Sequence, residues 1–244
     1  MSAYVRPQSA GEILRNSAHL YRKNFRALFL TYLIPLLPVS IVYVIAYESG
    51  SPALLYTTLA LLLLAFGFAV IPVTVVLSDI CLGNEPGIRR AFRRAFDRSA
   101  GQVMGTYLLS TAVTILGLLL CIVPGVVFTI WYLFALIVVV LERVGGWTAL
   151  RRSKELGQGF FLRNFGVLLL CYALIFAGSL FIWMILILVG MITGPHMMIA
   201  QIVAQIFNLL LNPILVIATV LMYYDMRSRK EAYDSAALAE DLRR

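Results

Sequence analysis

The chain has 244 residues, 61% of them hydrophobic and only 13% charged, with a net charge of +8. Soluble domains are roughly 45–50% apolar and about 25% charged, so this composition excludes an ordinary soluble globular fold and points to one integral membrane domain over 1–244. The positive balance would suit nucleic acid, but the placement of the cations argues against such a partner and for a membrane surface.

The 20 Lys and Arg fall five apiece into 1–26, 79–98, 142–163 and 225–244, with long uncharged stretches between. Lys/Arg bias in short loops sets which side of a membrane they occupy. All four segments are therefore expected on the cytoplasmic side of the cell (inner) membrane, with an even number of spans between neighbours and both termini cytoplasmic. Juxtamembrane cations are drawn to anionic leaflets by about 1 kcal/mol each. Anionic phospholipids of the bilayer are thus the expected partner, beside a cytoplasmic or membrane protein.

The first predicted element is an amphipathic elbow over 12–26, where Leu14, Ala18, Tyr21 and Phe25 fall opposite Arg15, His19, Arg22 and Arg26. The polar opening of the chain and the length of the apolar run that follows predict an anchor, not a cleaved signal. Spans are expected at 27–47 and 53–78, joined by a turn, Ser49-Gly50-Ser51-Pro52, that has no Lys or Arg. A second elbow over 88–98 sets Ile88, Ala91, Phe92, Ala95 and Phe96 against Arg89, Arg90, Arg93, Arg94 and Asp97. The 43 uncharged residues that follow would make a helix of about 65 Å, twice the hydrocarbon thickness. They must fold back, with Val123-Pro124-Gly125 as the expected break between spans at 101–122 and 125–141. A weaker amphipathic stretch, 147–161, carries Arg151 and Arg152 beside a ridge of Ala149, Ser153 and Gly157; packing on the bundle and lying in the interface are both open for it. Spans at 165–189 and 198–224, turning around Gly194-Pro195, lead to a cytoplasmic tail over 225–244.

The expected fold is all-α, a polytopic membrane helical bundle of six transmembrane helices with three cytoplasmic amphipathic elbow helices. Elbow plus two-span hairpin recurs three times, and Arg22-Lys23-Asn24-Phe25 resembles Leu162-Arg163-Asn164-Phe165, which makes a three-fold repeat a candidate.

Chemistry-bearing residues are few. Glu48, Asp79, Glu142 and Asp225 sit at span ends, the last three at one boundary, where they either surround an entrance or pair with Arg90, Arg143 or Arg227. In the sixth span Gln201, Gln205, Asn208 and Asn212 are spaced 4, 3 and 4 apart and form a stripe that must face inward, because amides in hydrocarbon need partners. It serves either as interhelical fastening or as a polar pathway. His19 and His196 are too far apart to cooperate, and Cys81, Cys121 and Cys171 form no disulfide framework or metal spacing. No cofactor, metal or catalytic arrangement is expected. The candidate headgroup or partner contacts are Arg15, Arg22, Arg89, Arg90, Arg93, Arg94, Arg151 and Arg152.

The run from Val138-Val139-Val140-Leu141-Glu142-Arg143 through Ala149-Leu150-Arg151-Arg152-Ser153 to Leu156-Gly157-Gln158-Gly159 resembles a segment of a prokaryotic membrane family. That family includes the membrane domain fused to some glycerophosphodiester phosphodiesterases. Gly11-Glu12-Ile13-Leu14-Arg15, Ile122-Val123-Pro124-Gly125 and Tyr223-Tyr224-Asp225-Met226-Arg227 are similar to its start, central turn and ending. The resemblance implies a stand-alone membrane relative without the catalytic barrel. The expected function is a scaffold or accessory subunit without intrinsic catalysis, with a small transporter or lipid-handling conduit along the amide stripe as the alternative.

Overall fold

The computed structural model describes residues 4–96, 99–193 and 197–243, and within them the chain is helical throughout, without a strand. In chain order the helices are α1 (Ala10–Lys23), α2 (Phe25–Glu48), α3 (Pro52–Cys81), α4 (Ile88–Ala95), α5 (Ser99–Leu120) and α6 (Ile122–Trp131). There follow α7 (Ala135–Glu142), α8 (Gly146–Gly157), α9 (Phe161–Thr193), α10 (Met197–Glu231) and α11 (Ser235–Arg243). Six stretches are long and apolar enough to cross a membrane: α2, α3, α5, the α6–α7 pair, α9 and α10. Gly194-Pro195 and His196 lie outside the described residues, as do Asp97 and Arg98 of the second amphipathic stretch.

Local chemistry accounts for the start of α1 and the turn between α2 and α3. Ser9 caps α1 in a capping box: its hydroxyl accepts from Glu12 N (3.2 Å), and its own N–H donates to the Glu12 carboxylate (2.6 Å). Between α2 and α3, Gly50 adopts φ +65° and Pro52 occupies the first turn of α3, where its missing N–H costs nothing.

The break between α5 and α6 falls at Cys121, in extended conformation, and not at Val123-Pro124-Gly125. Pro124 sits inside the first turn of α6, where helical N–H groups lack partners in any case. Gly125 serves packing: a Cβ there would lie 2.4 Å from the Leu118 side chain.

The expected fourth span, 125–141, is two helices, interrupted at 132–134. Ser153 of α8 explains the interruption. Its hydroxyl donates to the Trp131 carbonyl (2.7 Å) and accepts from Phe134 N–H (3.1 Å), replacing bonds that a continuous helix would make. The expected tail also proves structured: α10 runs on to Glu231, and α11 packs back with Leu238, Asp241 and Leu242 buried.

The three amphipathic stretches are α1, α4 and α8, each with one side packed on the bundle. For α1 the buried side is Ile13, Ser17, Leu20 and Tyr21, rotated from the expected arc, so that Ala18 stays exposed; Phe25, also exposed, already belongs to α2. In α8 the small ridge of Ala149, Ser153 and Gly157 is buried, together with Leu150 and Leu156. The core is densest where 69–79 of α3, 137–141 of α7 and 215–226 of α10 meet. Away from that end, α9 leaves Phe176, Leu180 and Leu188 more than half exposed, an apolar outer surface suited to lipid.

Candidate functional site at the basic end of the bundle

All four basic segments converge on one end of the bundle: two ion-pair networks tie 1–26, 142–163 and 225–244 together, and α4 joins them through Arg94. Asp225, fully buried in α10, is the hub of the first. One of its oxygens accepts from Gln8 N–H (2.6 Å) and Arg229 Nε (2.9 Å), and the other accepts from Arg163 at the start of α9. Arg163 and Arg229 also donate to the Gln8 carbonyl (2.6 and 2.9 Å), so the Gln8 peptide is clasped on both sides. A buried carboxylate is strongly unfavourable unless it is paired and fully hydrogen-bonded, and this one is.

The second network joins α7, α8, α10 and α11. Glu142 accepts from Arg152 Nε (2.8 Å) and from the Tyr223 hydroxyl (2.8 Å). Arg152 also pairs with Glu231, which accepts from Arg227 Nε (2.9 Å). Arg227 reaches on to Asp241 (2.8 Å) and lies over the Tyr233 ring, 3.8 Å from its centroid. Burial works against charge on Arg152, but its bonds to Glu142 and Glu231 outweigh that and hold the guanidinium above its ordinary value. Burial and the hydrogen bond to Asp241 (2.7 Å) push the Tyr233 phenol up.

Glu142 and Asp225 therefore belong to separate pairing networks and not to a common entrance. Asp79, at the end of α3, is buried and under the influence of Arg90 and Arg94. The expected headgroup contacts divide into two sets. Arg15, Arg22, Arg89, Arg90, Arg93 and Arg151 are exposed, Arg151 with a surface partner in Glu155 (3.0 Å). Arg152 is spent inside the second network. Arg94 is half-buried and donates to the main-chain carbonyls of Leu242 (2.7 Å) and Asp241 (3.1 Å), which ties α4 to the end of α11. Arg90, Arg93, Arg94 and Arg143 together line a cleft of about 570 Å³, completed by Phe96 and Leu242.

The amide stripe lies in the other half of α10. Gln201 is buried, Gln205 donates to Ser40 Oγ of α2 (3.1 Å), and Asn208 donates to the Ala204 carbonyl of its own helix (2.9 Å). Ser179 of α9 donates to Asn208 Oδ1 at 3.4 Å. Asn212 has no hydrogen-bond partner among the described residues. Two residues before it, the Leu210 carbonyl, in the turn preceding the helix-disturbing Pro213, accepts from the Tyr21 hydroxyl of α1 (2.7 Å). Gln205, Asn208 and Asn212 face a groove of about 520 Å³ against α2 and α3, walled otherwise by leucines, Tyr32 and Phe66. Among the described residues no charged side chain lines it.

Several residues central to these arrangements had no chemical role assigned from the sequence. Gln8 acts through its backbone, which no side-chain pattern reveals, and Ser153 was visible as one of a ridge of small residues and as the end of the Ala149-Leu150-Arg151-Arg152-Ser153 run, neither of which points to its bonds. Asn164, fully buried at the start of α9, has both amide atoms without a partner among the described residues. Among the described residues no group of three or more His, Cys, Asp or Glu is arranged to hold a metal ion.

A family model described as a domain of unknown function (DUF8558) matches residues 98–244. The chain belongs to this family. The matched region runs from α5 to the C-terminus and contains every side chain of both ion-pair networks, together with Arg143 and Leu242 of the arginine cleft. Gln8 and the α4 arginines precede it. No curated protein and no solved structure matches the chain.

Proposed function

We propose that this chain is a membrane scaffold or accessory subunit without catalysis of its own, whose basic end lies against the cytoplasmic leaflet and contacts anionic phospholipid headgroups. One observation carries the reading. The carboxylates Asp225, Glu142, Glu231 and Asp241 are consumed by internal pairs, while Arg15, Arg22, Arg89, Arg90 and Arg93 remain exposed at the same end. That surface presents guanidinium groups at the level where the apolar helices begin, and the leaflet it would meet is anionic. In this reading α1, α4 and α8 are elbows along the interface, each followed by two spans, and both termini are cytoplasmic by the positive-inside rule. The repeat of elbow and hairpin follows the same division. The chain is then a stand-alone relative of the membrane domain found with glycerophosphodiester phosphodiesterases, a kinship supported by the run through Glu142, Arg152 and Ser153. Nucleic acid is not a partner.

The conduit reading draws its support from the groove beside Asn208. The groove's leucine-rich walls and lack of charge favour the scaffold, because ion-coupled transport generally uses a titratable group within the membrane.

The test is lipid retention. With Arg15, Arg22, Arg89 and Arg151 changed to Gln, the ratio of anionic to zwitterionic lipid carried through purification should fall by about tenfold or more, given up to about 1 kcal/mol per cation. Native mass spectrometry of the protein from mixed micelles reads that ratio. Retention equal to wild type would transfer the basic surface to a protein partner and sink the lipid role.

A further inference from the structure

Between α4, the α7–α8 junction and α11, four arginines line one cleft of about 570 Å³. We propose that this cleft is a selective site for a phosphomonoester lipid headgroup, with the terminal phosphate held by Arg90, Arg93, Arg94 and Arg143. The inference rests on the preceding reading that this end meets a leaflet, and it names the ligand class that the leaflet supplies.

The charge is concentrated and incompletely answered. Among the described residues, Arg90, Arg93 and Arg143 make no ion pair. Of the carboxylates among the described residues that act on Arg94, Asp79 is buried at the end of α3, and Asp241 Oδ2 already accepts from Arg227 and Tyr233. Burial, and then the charges of Arg143 and Arg90, hold the Arg94 guanidinium below its ordinary value, with Asp79 and Asp241 acting in the opposite sense. An anion seated between these groups relieves both burdens.

The site is also built, and not merely basic. Arg94 is positioned by two carbonyls at the end of α11. Arg143 closes α7 in the left-handed conformation (φ +57°, ψ 29°), at a helix end where glycine is the usual residue. An arginine there tolerates a backbone that glycine would adopt freely, although Gly145 and Gly146 stand two and three residues on. Its side chain is what that position gains.

Phosphate suits four arginines better than a carboxylate does, because guanidinium forks bind the oxygens of either in pairs and phosphate offers more of them. A monoester offers three terminal oxygens and about −1.5 to −2 of charge, whereas a diester offers two such oxygens and a single charge. The source is a lipid and not a soluble phosphate, because the cleft has an apolar rim. Phe96 is 75% exposed with its ring set 5.1 Å from that of Phe68, and it precedes the membrane-length helix α5, while buried Leu242 is the other apolar residue of the lining.

The experiment uses the full chain in phosphatidylcholine nanodiscs doped with phosphatidic acid or, at equal charge, with phosphatidylglycerol, and counts retained lipid by native mass spectrometry. Wild type should prefer phosphatidic acid by roughly tenfold, the gain expected of one further charge-assisted bond. Arg143→Gly removes the guanidinium and relaxes the positive φ, so it should keep or raise the melting temperature while abolishing the preference. Arg93→Gln, at an exposed position, should reduce the preference as well. A preference that survives in Arg143→Gly overturns the site. Equal retention of the two anionic lipids by wild type also overturns it and leaves the broader headgroup role standing, whereas loss of both takes that role with it. If millimolar inorganic phosphate displaces the phosphatidic acid, the ligand is a soluble anion and the lipid assignment fails.

Discussion

Along α10 the 201–212 turns carry four carboxamides, and the 223–231 turns carry charged and phenolic side chains, yet only in the second set does every such side chain have a partner. Asp225 is bonded on both oxygens, and Tyr223, Arg227 and Glu231 each have partners on other helices or along α10 itself. Asn212, by contrast, opens on the groove, and Asn208 turns partly back to its own helix. The difference follows from what each group loses when left unpaired. A buried charge without a partner costs several kcal/mol, so the fold must close around it. An interhelical amide bond in a bilayer is worth about 0.6 kcal/mol, too little to force closure. Polar residues in the middle of an apolar helix are therefore conspicuous in the sequence but organise little, while charges at the helix ends tie the basic end of the bundle together.

The largest effect should come from the enclosed half. Asp225→Asn leaves Arg163 and Arg229 facing a neutral amide and loosens the clasp on Gln8. A destabilisation of about 3 kcal/mol is expected, at the low end for a broken buried pair because both arginines are partly exposed. Thermal unfolding in detergent measures it, and limited proteolysis should show earlier cleavage near the N-terminus. An unchanged melting curve would erase the contrast between the two halves of α10.

Ser153→Ala comes next. It strips the hydroxyl from the gap between α6 and α7 and leaves the Trp131 carbonyl and the Phe134 N–H without their partner, at a cost of about 2 kcal/mol. A loss below the resolution of the melting assay would mean that the interruption closes on its own.

The smallest change is expected in the open half. Gln205→Leu removes the bond to Ser40, so stability should shift by only about 0.6 kcal/mol, and lipid retention at the basic end should be unaffected. Loss of a cellular phenotype with abundance intact would instead favour a conduit along the groove.

The features legible in the sequence are those that depend on short-range quantities. Uncharged lengths set against bilayer thickness located the six apolar stretches, and helical periodicity located α1, α4 and α8. Boundaries failed where a second element intervened. Pro124 was a sound breaker by local rules, yet the turn falls at Cys121 because proline is equally at home in a first helical turn. Nothing in Tyr132-Leu133-Phe134 announces an interruption, since what stabilises it is a serine about twenty residues downstream. The rotated buried face of α1 has the same origin: Ile13, Ser17 and Leu20 are chosen by the packing of α1 on α10, not by the strict apolar–basic division of the wheel.

The sequence by itself determined the all-helical, membrane-length architecture and the grouping of cations into four segments, because composition, run length and charge position are properties of the chain before it folds. Which arginines stay exposed and which are spent was decided only by the tertiary structure. Arg151 and Arg152 are neighbours on one helix, and their difference in fate rests on Glu142 and Glu231, the second of them 79 residues from Arg152 along the chain. A guanidinium's role depends on the carboxylates within reach of its fork, and that distance exists only once the helices have packed.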